Sequence, residues 1–135
     1  MVSGEDLPGN VKAVIADCGY TSEWDEFQRE ADALHIPWFP VLNATSVLSK
    51  IRDGYDFKQA SALAQVKKSR IPTLFIHGSS DELVPYSMLG ELYAAAACEK
   101  EKLIVEGAGH ALSSSVAPTL YWRTVEDFIA KYLDR

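Results

Sequence analysis

The chain has 135 residues, enough for one domain that buries about 68% of its unfolded surface. Hydrophobic residues make up 47% and charged residues 24%, a globular mix that excludes a disordered tail, a collagen-like repeat and a disulfide-dense mini-protein. The net charge of −6 argues against nucleic-acid phosphates and anionic membrane surfaces as partners.

Taken in chain order, Leu7–Asn10 reads as a turn and Val11–Asp17 as a buried strand that Gly19 breaks. A helix follows from about Ser22 to Leu34, with Thr21 or Ser22 as its cap and Asp25 and Glu26 in its first turn. His35–Pro40 carries prolines too closely spaced for a regular helix. It runs through Val41–Asn43 into a helical stretch with Val47, Leu48 and Ile51, stopped by Gly54. This apolar, irregular middle region, from His35 to Gly54, has the character of an insertion. Asp56 is expected to cap a helix through Phe57, Ala60, Leu63, Ala64 and Val66.

Ile71–His77 is a second strand, with Pro72 at its start where a missing N–H is tolerated. Gly78–Val84 is a loop, and Pro85 suits the first turn of a helix to about Ala97. Lys102–Val105 is a third strand, Glu106–Ser115 a loop, and Pro118 opens a final helix through Val125, Phe128, Ile129 and Leu133. The order is strand, helix, insertion, helix, strand, helix, strand, helix. Right-handed crossovers then make three parallel strands with flanking helices, an α/β fold in a single domain.

Cys18 and Cys98 are too few for a disulfide framework and read as reduced, buried or half-buried thiols. A catalytic Cys18 would need a neighbouring base and a depressed pKa, and the sequence points to neither. No apolar run approaches the ~18 residues of a membrane span. The first residues lack the basic-then-apolar pattern of a secretory signal, so a cytoplasmic location is expected.

Two loops carry the chemistry, and each follows a strand. One is His77–Pro85 and the other is Glu106–Ala111. Asp81 and His110 are separated by about one βαβ unit of ~30 residues, which returns the chain to the same sheet edge. Neighbouring strands lie ~4.8 Å apart, so an Asp–His hydrogen bond is within reach. Acid before histidine, each after a strand, is the second half of the order Ser…Asp/Glu…His. His77 ends a strand and reads as packed or hydrogen-bonded, and His35 lies in the insertion. Gly107–Gly109 is a poor dinucleotide motif, because Leu112 stands where a third glycine belongs. Asp17–Thr21 mimics the D-x-D-x-T motif of haloacid-dehalogenase phosphotransferases, but Gly19 replaces the second aspartate.

The strings VIADCGYTS (Val14–Ser22), GYDF (Gly54–Phe57), IPTLFIHGSSDELVP (Ile71–Pro85) and LIVEGAGHA (Leu103–Ala111) resemble the C-terminal half of the α/β-hydrolases. The resemblance is to the bacterial serine aminopeptidase-like and acyl-hydrolase group and covers essentially the whole chain. It implies that Asp81 and His110 are the triad acid and histidine. It implies that the three strands are the last three of the family's sheet and that residues about 23–55 form a lid-like insertion. Trp38, Phe39, Val41 and Leu42 become candidates to line an apolar acyl pocket. No metal and no cofactor is implied.

The family's serine lies in a G-x-S-x-G elbow, and no such motif occurs here. Residues 1–4 resemble the tail of the helix after that elbow. The expectation is therefore the acid–histidine portion of a serine hydrolase for small acyl substrates, inactive alone. The alternative is a non-catalytic assembly module. The apolar edge of the Val11–Asp17 strand predicts pairing, with a second copy or with a missing N-terminal half.

Overall fold

A computed structural model describes residues 3–133. Three strands, β1 (Val14–Asp17), β2 (Thr73–Gly78) and β3 (Lys100–Val105), form one parallel sheet in the order β1-β2-β3. All six residues of β2 are buried, because β2 is central and covered on both faces. Leu74 and Ile76 point to one face, where they pack with Leu103, Val105, Val125, Phe128 and Tyr132. Phe75 points to the other, against Ala16, Ala62, Val66, Leu89 and Leu92. The alternation is the two-residue period of a strand. Each large side chain buried this way contributes about 1.5–3 kcal/mol.

The helices are α1 (Glu23–Ala33), α2 (Trp38–Asp53), α3 (Ala62–Lys68), α4 (Ser87–Ala95), α5 (Ser113–Val116) and α6 (Pro118–Leu133). Helices α3 and α4 supply one face of the sheet and α6 the other. The chain divides into two compact units. One holds the chain up to Tyr20 and from Ala62 onward, and the other is Thr21–Ser61.

Within Thr21–Ser61, Ser22 is the cap of α1, its Oγ accepting the Asp25 N–H at 3.1 Å. Phe39 interrupts α2 with extended angles (φ −99, ψ 130), so regular helix resumes at Pro40. Gly54 ends α2 in the left-handed region at φ 71, which glycine adopts without steric cost.

Several boundaries depart from the sequence reading. Strand β1 starts at Val14 rather than Val11, because its partner strand starts at Thr73 and Val11 N–H turns back to the Pro8 carbonyl. Strand β3 starts two residues early, at Lys100, which pairs with Thr73. Asp56 caps no helix: its carboxylate takes Lys50 Nζ and the Lys58 N–H, and α3 waits until Ala62. Pro85 and Tyr86 form a turn ahead of α4. Helix α5 lies in a segment read as loop, because four residues carry no helical periodicity. The expected helix tail falls at Met1 and Val2, outside the described residues, and at Ser3–Gly4, which is a turn.

Candidate active site

The loop after β2 holds Asp81 as a buried carboxylate. Its Oδ1 accepts the backbone N–H groups of Leu83 at 3.0 Å and Val84 at 2.8 Å. This local bonding is why an aspartate suits the turn. Its Oδ2 accepts the Nδ1–H of His110 at 2.9 Å. Burial alone pushes the Asp81 pKa up. The Val84 N–H, His110 and the Leu83 N–H outweigh burial and hold it below the usual carboxylate range.

His110 comes from the loop after β3, and its side chain is 37% exposed. That loop folds back across the end of β2. Ser79 N–H reaches the Val105 carbonyl at 3.0 Å, and Ser80 N–H reaches the Ala108 carbonyl at 3.0 Å. Gly107 N–H reaches Ser79 Oγ at 2.9 Å. The crossing depends on Gly78: a Cβ there would stand 2.1 Å from the Ala108 carbonyl oxygen. Only the absent side chain lets the two backbones approach.

His77 is fully buried at the end of β2. Its Nε2–H donates to the Val84 carbonyl at 3.0 Å, and Asp81 Oδ2 lies 3.3 Å away. It packs beneath the acid and is shut off from solvent.

Cys18 directly follows β1 and adopts φ 51. Its Sγ accepts the Ala111 N–H at 3.2 Å and its thiol donates to Asp17 Oδ1 at 3.3 Å. Burial pushes the thiol pKa up to about 11, the Ala111 N–H opposes that, and Asp17 adds to it. Asp17 is held in turn by Tyr121, whose hydroxyl donates to Oδ2 at 2.9 Å. Burial, reinforced by Asp17, raises that hydroxyl to about 12. Ligand atoms of Cys18, Asp81 and His110 lie within 4.8 Å of one another. The sequence reading gave Cys18 no neighbouring base, and the structure sets a histidine beside it. The one signal was position: all three residues follow the ends of parallel strands, where α/β sheets gather their sites.

The other four residues named from the sequence belong to the Thr21–Ser61 unit. Trp38, Val41 and Leu42 line an apolar cleft of about 310 Å³, together with Phe27, Ala31 and Phe57. Phe39 is 66% exposed and does not line it. Its extended backbone takes it out of phase with the helix that follows. His35 lies in this unit too and is exposed. Among the described residues, no helix is long and apolar enough to cross a membrane.

No family model matches the sequence. The chain is 31% identical over 116 residues to the Bacillus subtilis protein called "Uncharacterized protein YqkD", covering 85% of this chain and 38% of that protein. It is 32% identical over 81 residues to "Uncharacterized protein Rv2307c" of Mycobacterium tuberculosis, covering 60% of this chain and 25% of that one. The chain thus spans well under half the length of these relatives. Among solved structures it resembles a Pyrococcus furiosus esterase, with a TM-score of 0.68 and 17% identity over 97% of this chain and 48% of the esterase. It also resembles a Pyrococcus horikoshii acylaminoacyl peptidase, with a TM-score of 0.67 and 17% identity over all of this chain and 22% of the peptidase. The chain has an α/β-hydrolase-like fold, with three parallel strands in one sheet flanked by helices.

Proposed function

We propose that the chain is the acid–histidine portion of a serine hydrolase acting on ester, thioester or amide substrates. The observation that carries this reading is the 2.9 Å contact from Asp81 Oδ2 to His110 Nδ1, at the carboxyl edge of a parallel sheet. A carboxylate that accepts the Nδ1–H leaves Nε2 as the basic nitrogen. In the reaction, Nε2 of His110 takes the proton of a serine hydroxyl as it attacks the acyl carbonyl. It then passes that proton to the leaving group. Asp81 fixes the tautomer and stabilises the imidazolium. Trp38, Val41 and Leu42 are proposed to contact the apolar part of the acyl group, with Phe39 at the margin of that surface. The protein is proposed to act in the cytoplasm.

No G-x-S-x-G motif occurs in the sequence, and the chain matches 38% of its Bacillus relative. The serine and the oxyanion donors are therefore proposed to come from polypeptide outside these residues. A fluorophosphonate probe tests this. The chain alone is expected to stay unlabelled. Joined to an upstream segment carrying the elbow, it is expected to be labelled, and His110→Ala should abolish that labelling. Stoichiometric labelling of a serine within the chain alone would overturn the reading, and so would labelling of the joined form that ignores His110→Ala.

A second reading is favoured by β1, which pairs with β2 on one side and forms an edge of the sheet. Val14, Ile15 and Ala16, with Leu7 and Val11, line a groove of about 540 Å³ along it. An apolar edge of this kind is a template for pairing. In this reading the chain is an assembly module that pairs with a second copy through β1. Light scattering at high concentration checks it: a dimer supports the second reading, and a monomer counts against it.

A further inference from the structure

Cys18 is not used in the proposed chemistry, yet it reaches the same site. Its Sγ, a carboxylate oxygen of Asp81 and an imidazole nitrogen of His110 lie within 4.8 Å of one another. These are three different ligand types, each from a different strand end. A tetrahedral zinc ion has bonds of about 2.0–2.3 Å to such atoms, which sets its ligands about 3.3–3.6 Å apart. The ligand atoms therefore need to close by at most about 1.5 Å to reach the spacing a metal requires.

The groups behind the three ligands are already in place. Asp81 Oδ1 is held by the Leu83 and Val84 N–H groups, which leaves Oδ2 turned toward His110. Cys18 Sγ already accepts the Ala111 N–H, a bond that a thiolate would keep and strengthen. Such supporting hydrogen bonds orient metal ligands and tune affinity. His110 is 37% exposed and gives a cation a way in. Thiolate with imidazole selects thiophilic metals over magnesium or calcium. Three protein ligands leave a fourth position for water.

We propose that Cys18, Asp81 and His110 form a binding site for a thiophilic divalent cation of the zinc class, and that occupancy silences the Asp81–His110 pair. The thiol releases one proton to solvent as the sulfur–metal bond forms, and His110 binds through a neutral nitrogen. If that nitrogen is Nδ1, the metal replaces its hydrogen bond to Asp81 and its proton moves to Nε2, which then has no free lone pair. If it is Nε2, the nitrogen that takes the serine proton is occupied. Either way the histidine cannot act as a base. The silencing rests on the hydrolase reading above, whereas the binding does not.

The test uses Zn²⁺ and Co²⁺ alone, added to the reduced, chelator-treated chain. Calorimetry is expected to show one Zn²⁺ per chain. Co²⁺ is expected to give a sulfur-to-metal charge-transfer band. Cys18→Ser should remove the band, and His110→Ala should weaken Zn²⁺ binding by at least about tenfold. Cys98→Ser should change neither, because Cys98 contacts Thr73 at the opposite end of β2. Circular dichroism confirms that each variant is folded, and a variant that unfolds is replaced by Cys18→Ala or His110→Gln. Absence of stoichiometric binding overturns the proposal, as does a charge-transfer band that survives Cys18→Ser. Neither result bears on fluorophosphonate labelling, so failure here and failure of the hydrolase reading are distinguishable.

Discussion

Asp81 and His110 are hydrogen-bonded at 2.9 Å although 29 residues separate them in the chain. That interval contains α4 and β3, so the pair is made by the return path of one strand–helix–strand unit. Parallel pairing of β2 with β3 fixes the loop ends side by side.

Asp81 makes stability depend on acid pH. Its folded-state pKa lies below the ordinary carboxylate range, which is ~3.9 for an unfolded aspartate. The carboxylate therefore contributes stability above that value, and the contribution is lost as pH falls through the lower folded pKa. Urea unfolding from pH 7 downward should show the wild type losing stability faster than Asp81→Asn. Parallel pH profiles for the two would contradict the assignment. Asp81→Ala should cost about 1–3 kcal/mol at pH 7, because it orphans backbone donors.

Gly78 permits the crossing that brings His110 to Asp81. Gly78→Ala sets a methyl group into the Ala108 carbonyl, and overpacking of this kind costs about 1–3 kcal/mol. Thermal unfolding should show the loss. The His110 imidazole signals should move as well, since the loop must shift. A Gly78→Ala chain with wild-type Tm and unchanged His110 signals would show that the close approach is not required.

Phe128 is the fully buried ring of α6, packed with Tyr132 and the Leu74–Ile76 face of β2. Phe128→Ala should destabilise the chain by about 3–5 kcal/mol. Denaturant titration should show a lower midpoint at unchanged slope.

In the Thr21–Ser61 unit, Ser22 caps α1 and Asp25 bonds back to its hydroxyl. Ser22→Ala should cost about 1 kcal/mol, and Ser22→Gly only a few tenths. Hydrogen exchange at the first turn of α1 reads this locally. Wild-type protection in Ser22→Ala would show that the hydroxyl is not the cap.

The buried thiol should be slow to alkylate. With its pKa near 11, modification of Cys18 by iodoacetamide, followed in a Cys98→Ser background, should accelerate toward pH 11 and be slow at pH 7. A rate already at its plateau at neutral pH would mean an activated thiolate.

The sheet was legible where composition and burial coincide. Leu74–Ile76 are consecutive apolar residues because β2 is covered on both faces. The Asp81–His110 pair was legible because one crossover unit returns the chain to the same edge. Val11–Ala13 was misread as strand because its apolar pattern continues past the point where β2 stops offering partners. Asp56 was misread as a cap because its carboxylate serves Lys50 and Lys58 instead. The nearness of Cys18 to His110 has one sequence signal, the position of both after strands, and the contact itself has none. It depends on the β3 loop folding back over Gly78, and no local pattern encodes that fold-back.

The most direct test of the central claim is the protonation state of the His110 ring, read by long-range proton–nitrogen NMR on the folded chain. The account predicts a downfield proton on Nδ1, held by the 2.9 Å bond to Asp81, that disappears in Asp81→Asn. A ring protonated at Nε2, or an Nδ1 proton indifferent to Asp81→Asn, would contradict it.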